Sequence, residues 1–336
     1  MVLQLDSWAV DGAQSSARIA RQMLTSATRS GNGVVEVNDL RARQLTVPGT
    51  SVRIDAGAAV VLGKEQTFQG SYYAHNVGEA TLPITPTGSG GGRADMVVLR
   101  VEDPAIDGTP WTHDPATEPV YYFRVIEGVS ATATEAPAGM TAIPLARINI
   151  PSNTATITTA MITDLRQMLN PRIHTEVRVQ RGMGLEDGRY DEADYTVDYE
   201  RWPQHDWDVT IPPWATQVQV QANWYNVLYP APGGTTGAYD ARGKVRVGLI
   251  GTGGNTLFTR NSVYNFNPTT PTNGYRCSIG LAAQNNIPAA MRGMAVALRM
   301  YAQADAGQLN HLVADGWANF DVTLTFREVA APGAEL

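Results

Sequence analysis

The chain has 336 residues, a formal net charge of −7 and only 17% charged residues, with Lys64 and Lys244 as its only lysines. An acidic chain of this kind lacks the basic surface that a grip on phosphate backbones requires, which excludes a nonspecific nucleic-acid binder. The length points to two domains, each large enough for its own core, and a single cysteine, Cys277, excludes an internal disulfide framework.

Residues Met1 to Val10 carry Val2, Leu3, Leu5 and Trp8 and read as an arm or short strand that docks on a neighbour. They lack the basic start and long apolar run of a signal peptide, and no stretch is long and apolar enough to span a bilayer. The expectation is a protein made in the cytoplasm, with no membrane insertion. From Gly12 to Arg29 the residues Ile19, Ala20, Met23, Leu24 and Ala27 recur at helical spacing, which predicts one amphipathic helix over about 12–29 packed on its own domain. The same stripe is too short for a trimeric coiled coil of three heptads. Short runs at Val34–Val37, Leu45–Val47, Val52–Ile54 and Ala58–Leu62, broken by Pro48-Gly49 and Gly57, predict a β-meander. Gln66–His75 and Ala80–Thr85 extend it.

After a polar turn at Thr87–Gly92, the run Arg93-Ala-Asp-Met-Val-Val-Leu-Arg-Val-Glu-Asp103 is apolar on both alternating faces and reads as a strand buried on both sides. Pro119–Ile126, ending at Gly128, and Ile143–Ile150, stopping at Pro151, are two more strands. Ile162–Leu169 has a helical look, and Asn170-Pro171 marks the best domain boundary. The ordered set RADMVVLRVED, YYFRVIEG, IPLARINIP and ITDLR resembles the N-terminal module of minor tail proteins from tailed bacteriophages of actinobacteria, over roughly Met1 to Pro171. That resemblance implies a virion component of the tail tip, baseplate or tail fibre, with an attachment module followed by a host-facing one. It implies other tail or baseplate proteins as partners and action outside the host cell, and it brings no catalytic residues.

Beyond Pro171 the texture changes to longer alternating strands: Ile173–Gln180, Trp207–Ile211, Gln217–Trp224, Lys244–Ile250, Tyr275–Leu281, Met294–Tyr301 and Phe320–Phe326. The fold class predicted is mainly β: an N-terminal β-rich module with one helix over 1–170, then a C-terminal antiparallel β-sandwich, jelly-roll-like, over 171–330. Residues 331–336, small and Pro/Gly-containing, are expected to be a disordered tail.

The chemistry-bearing patterns are few. Gly88–Gly92 and Gly251–Gly254 lead into extended segments rather than helix N-termini, so both read as hairpin loops and not phosphate cradles. The acidic loop Glu186–Asp194 offers oxygen ligands of the kind calcium takes, but without EF-hand spacing and with Arg189 inside it, so no metal is assigned. The five histidines are scattered, no Gly-x-Ser-x-Gly elbow occurs and no carboxylate pair is nominated, so the chain is not read as an enzyme and no cofactor is expected. Aromatics are dense from Trp202 to Tyr239. Trp207 and Trp224, on strands, read as core. Trp202, Tyr225, Tyr229 and Tyr239 are the candidate binding residues, the last three flanking the Pro230–Gly234 loop, because exposed rings beside polar groups suit the apolar faces of sugars. The reading is a tail protein whose C-terminal domain binds a host-surface glycan. A homotrimer is expected, since avidity multiplies weak contacts. The alternatives are a purely structural connector and an envelope polysaccharide depolymerase.

Overall fold

The computed structural model describes residues 11, 16–107, 117–181, 190–191, 199–229, 241–266, 274–305 and 312–331. The chain divides into two compact units, Met1–Pro171 with Val329–Ala331, and Arg172–Glu328 with Pro332–Leu336. The second strand-rich region therefore ends at Glu328 rather than 330. Ala330 is buried in the first unit's core, and its carbonyl accepts a hydrogen bond from the Arg166 guanidinium at 3.2 Å. The expected tail beyond Ala331 lies outside the described residues.

In the first unit a helix runs Ala17–Ala27, with a second, four-residue one at Pro104–Asp107, and Ser16 caps the first by accepting the Ile19 N–H at 3.2 Å. Its docking inverts the expectation from the sequence. The polar side faces the protein: Arg21 donates to the Gln69 carbonyl (2.8 Å), pairs with Asp103 (3.2 Å) and lies over the Tyr72 ring, while Thr25 and Ser71 share a hydrogen bond. Ala20, Met23 and Ala27 are exposed, Ile19 and Leu24 are only half-buried, and no residue of the helix is buried. The cause is the surface it meets. The turn before strand Ser71–Asn76 offers backbone carbonyls that need donors, and at Gly70, with φ +85°, a Cβ would stand 2.6 Å from Arg21 Cβ. A groove of about 590 Å³ lies between the helix, at Ala17, Ala20 and Leu24, and the body of the unit, at Tyr72, Pro104 and Val120.

The predicted meander is two small antiparallel sheets. One orders Gly33–Val34, Gly57–Leu62 and Ser71–Asn76, and the other orders Ala42–Gln44, Ser51–Ile54 and Ala80–Pro83. The segment carrying the four motifs is a single four-stranded sheet in the order Ile162–Asp164, Ala142–Ile150, Arg93–Val101, Tyr121–Ile126. Arg93–Val101 is central and buried along most of its length, as its two apolar faces predict. Ile162–Leu169 is not helical: its start pairs with Ala142–Ile150, Thr163 opposite Arg147, because β-branched residues there meet an open strand edge. Polar motif residues tie the sheet together. The fully buried Asp95 accepts from Arg93 (2.7 Å) and from the Gly128 N–H (3.1 Å). Arg166, with its side chain 0% exposed, binds Asp164 (2.7 Å) and the carbonyls of Val37 (3.0 Å) and Asp39 (2.6 Å).

The second unit is an antiparallel β-sandwich. In one six-stranded sheet Gln217–Tyr229 lies between Asn319–Arg327 and Tyr275–Asn286, with Ile173–Arg181 beyond Asn319–Arg327. The other six-stranded sheet is built on Ala241–Ile250 paired with Ala295–Ala304, flanked by Trp207–Thr210, Glu200–Arg201, Thr256–Phe258 and Ser262–Phe266. Alternate residues of both sheets, Val218, Val220, Trp224, Val245, Val247, Leu298, Met300, Phe320, Val322 and Leu324, fill one core. Gly251–Gly254 is the hairpin turn between Ala241–Ile250 and Thr256–Phe258, whereas Gly88–Gly92 joins strands of two different sheets.

Candidate functional site

Along Gln217–Trp224 the even residues enter the core and the odd ones point outward, as period-two alternation dictates. The alternation then changes phase. Pairing with Tyr275–Asn286 shifts register between Trp224 and Val227, and Asn226 takes the left-handed conformation with φ +55°. This is a β-bulge: one extra residue leaves Tyr225 and Asn226 both exposed and turns Val227 and Tyr229 inward. Tyr225 is 41% exposed while Tyr229 is 0% exposed and stacked on Tyr275, with ring centroids 4.9 Å apart. Both lie on the strand rather than in a loop.

Charged groups converge on the bulge from a neighbouring strand and from a turn. Arg276 donates to the Asn226 carbonyl (2.8 Å) and grips Asp315 through two hydrogen bonds of 2.6 and 2.7 Å. Asp315 also accepts the Trp317 N–H at 3.0 Å, closing a tight turn that holds Trp317 outward at 72% exposure. Asn319, register partner of Tyr225, donates to the Trp317 carbonyl, and Asn223 donates to Asp321 at 2.9 Å. Outward residues farther along the sheet form polar cross-strand pairs, Gln219 with Gln284 and Thr175 with Thr325. The result is two exposed rings flanking a fixed guanidinium–carboxylate pair and several amides. That arrangement presents apolar faces for sugar C–H groups and donors and acceptors for hydroxyls.

The Arg276 guanidinium holds the Asp315 carboxyl below the usual carboxylate range; burial opposes this, and the Trp317 N–H adds to it. A carboxyl with a depressed folded-state pKa contributes stability that is present above its unfolded pKa and lost as pH falls through the folded one. The Tm difference between the wild type and Asp315→Asn is therefore expected to shrink as pH drops from about 5 to below 3. A difference that stays constant over that range would show that the pair does not hold the turn.

Of the four candidate aromatics, Tyr225 is in this site. Trp202 and Tyr229 are corrected to core packing. Trp202 is 1% exposed, its carbonyl accepts the Trp224 indole N–H at 2.8 Å, and its ring meets Phe320 edge-on. Large rings next to an unfilled sandwich interior gain more by burial than by display. Tyr239 and most of the acidic loop Glu186–Asp194 lie outside the described residues. Among the described residues no group of three or more His, Cys, Asp and Glu is placed to hold a metal ion, and no helix is long and apolar enough to cross a membrane. Trp317, Arg276 and Asp315 escaped the sequence reading. The Asp315-Gly-Trp317 turn between two strands was the available signal for the tryptophan, whereas nothing local announces the Arg276 pairing.

No family model matches the chain, and no curated protein matches it. Among solved structures it is similar to the protein of the T13 infectious bursal disease virus particle, with 13% identity and a TM-score of 0.27 over 91% of this chain and 71% of that one. It is also similar to the C-terminal family 22 carbohydrate-binding module of Clostridium thermocellum Xyn10B (12% identity, TM-score 0.19, 49% of this chain and 87% of that one). A tandem family 22 module from Paenibacillus barcinonensis Xyn10C matches at 11% identity and a TM-score of 0.21, over 88% of this chain and 99% of that one. Likeness at these scores carries no argument about function.

Proposed function

We propose that this chain is a structural protein of a bacteriophage tail, at the tip, baseplate or fibre, that joins the virion through its first unit and binds a host-surface glycan through its second. The observation that carries the binding half is the exposed pair Tyr225 and Trp317 around the Arg276–Asp315 ion pair. Rings held outward by a bulge and a turn are positioned by the scaffold and add little to its core, which is how recognition surfaces are built. Support for the virion half comes from the motif-bearing segment, whose four pieces make one sheet with interlocked polar residues and so form a single structural module. The Ala17–Ala27 helix of that unit exposes Ala20, Met23 and Ala27, apolar groups of the kind subunit contacts bury. A trimer would give weak glycan contacts the avidity that adsorption needs.

The test is immunogold electron microscopy of phage particles with antibodies raised against the purified chain. Label confined to the distal end of the tail is the expected result. Label on the head, or none on intact particles that contain the protein, would remove the tail assignment.

A further inference from the structure

The outer face of the other sheet carries a different chemistry. Along Ala241–Ile250 the residues Val245, Val247 and Leu249 enter the core, so Lys244, Arg246 and Gly248 point outward. Register places Arg246 opposite Tyr301, and Gly248 between Phe258 and Arg299. The Arg246 guanidinium carbon stands 3.7 Å from the Tyr199 ring centroid, 4.1 Å from that of Phe258 and 5.6 Å from that of Tyr301, and the Lys244 ammonium stands 5.8 Å from Tyr199. Glycine at 248 makes this possible, since a Cβ there would lie 2.7 Å from the Phe258 ring and 3.0 Å from that of Tyr301.

Stacking engages the faces of a guanidinium and none of its N–H donors. Among the described residues neither Arg246 nor Lys244 has an ion pair. The neighbouring charges do not neutralise them: Arg201 (3.1 Å) and Arg299 (2.8 Å) share one carboxylate, Asp206, and Asp305 acts on Tyr199 only at a distance. Among the described residues, Lys244 and Arg246 thus stay without an ion-pair partner on an aromatic-lined face of a chain whose net charge is −7.

We propose that this face is a second binding site, taking the carboxylate or phosphate of an anionic polysaccharide on Arg246 and Lys244. The site stands apart from Tyr225 and Trp317, which belong to the opposite sheet, so either can fail without the other. The ring-held guanidinium is already ordered, and an oxyanion gains charge-assisted hydrogen bonds there at little entropic cost.

The experiment titrates the full chain with polygalacturonate, with poly(glycerol phosphate) and with neutral dextran at about 0.15 M salt. Binding to at least one polyanion and not to dextran is expected, and which polyanion binds identifies the anion. Arg246→Gln and Lys244→Gln should each weaken it by about tenfold, whereas Arg18→Gln in the first unit should leave it unchanged. Lys244→Gln keeps the test decisive if Arg246→Gln, with its rings unpacked, fails to fold. The proposal is overturned if neither polyanion binds, if the folded variants bind as the wild type does, or if Arg18→Gln in the first unit weakens binding equally.

Discussion

Replacing Trp224 by alanine is expected to destabilise the second unit by about 3–5 kcal/mol, the largest effect of any single truncation in that sandwich. Trp224 is 0% exposed at the centre of the six-stranded sheet, its strand bonded on both sides. Its indole N–H satisfies the Trp202 carbonyl at 2.8 Å, and Trp202 in turn packs edge-on against Phe320 with ring centroids 6.0 Å apart. Alanine removes the ring, leaves a cavity and takes one donor from the buried Trp202 carbonyl. Trp224→Phe should recover most of the volume but not the hydrogen bond, and so lose about 1–3 kcal/mol. Urea unfolding followed on the second unit measures both. A loss below about 1 kcal/mol for alanine would mean that the two sheets do not share the core described.

Arg166→Ala is expected to cost the first unit about 3–5 kcal/mol. The guanidinium has no exposed side-chain surface and serves four partners: Asp164 and the carbonyls of Val37, Asp39 and Ala330. Its removal leaves three backbone acceptors without this donor and a carboxylate, Asp164, that keeps the backbone N–H of residue 166 (3.1 Å) and the longer 3.8 Å contact to Arg41. Arg166→Lys keeps the charge yet cannot reproduce the planar fork, so an intermediate loss is expected. Because one partner is Ala330, truncation after Glu328 should lower the same transition by about 1–3 kcal/mol. If Arg166→Ala shifts only the second unit's transition, the return of the chain to the first unit is wrong.

These two residues show what was legible in the sequence. Two apolar faces identified Arg93–Asp103 as a buried strand, and period-two alternation identified Gln217–Trp224 and Phe320–Phe326 and set Trp224 in the core, because burial on a pleated surface writes itself into neighbouring residues. Arg166 could be quoted as part of a motif, but its role depends on carbonyls 127 to 164 residues away in the chain. The bulge at Asn226 illustrates the same limit locally. Strict alternation puts Tyr225 and Tyr229 on one face, and one inserted residue sends Tyr229 inward. The helix was found from its 3.6-residue stripe, yet the stripe faces outward because the strand beside it asks for hydrogen-bond donors. Trp317 went unread because a lone tryptophan in a turn has no period.

Binding of the full chain to polysaccharide purified from actinobacterial cell walls, wild type against Tyr225→Ala/Trp317→Ala, tests the proposed glycan site most directly. Both side chains are substantially exposed, so the melting temperature of the double variant should stay close to that of the wild type. The account predicts saturable wild-type binding that the double variant weakens by about tenfold or more with folding intact. Equal binding by the two proteins at equal stability would contradict it.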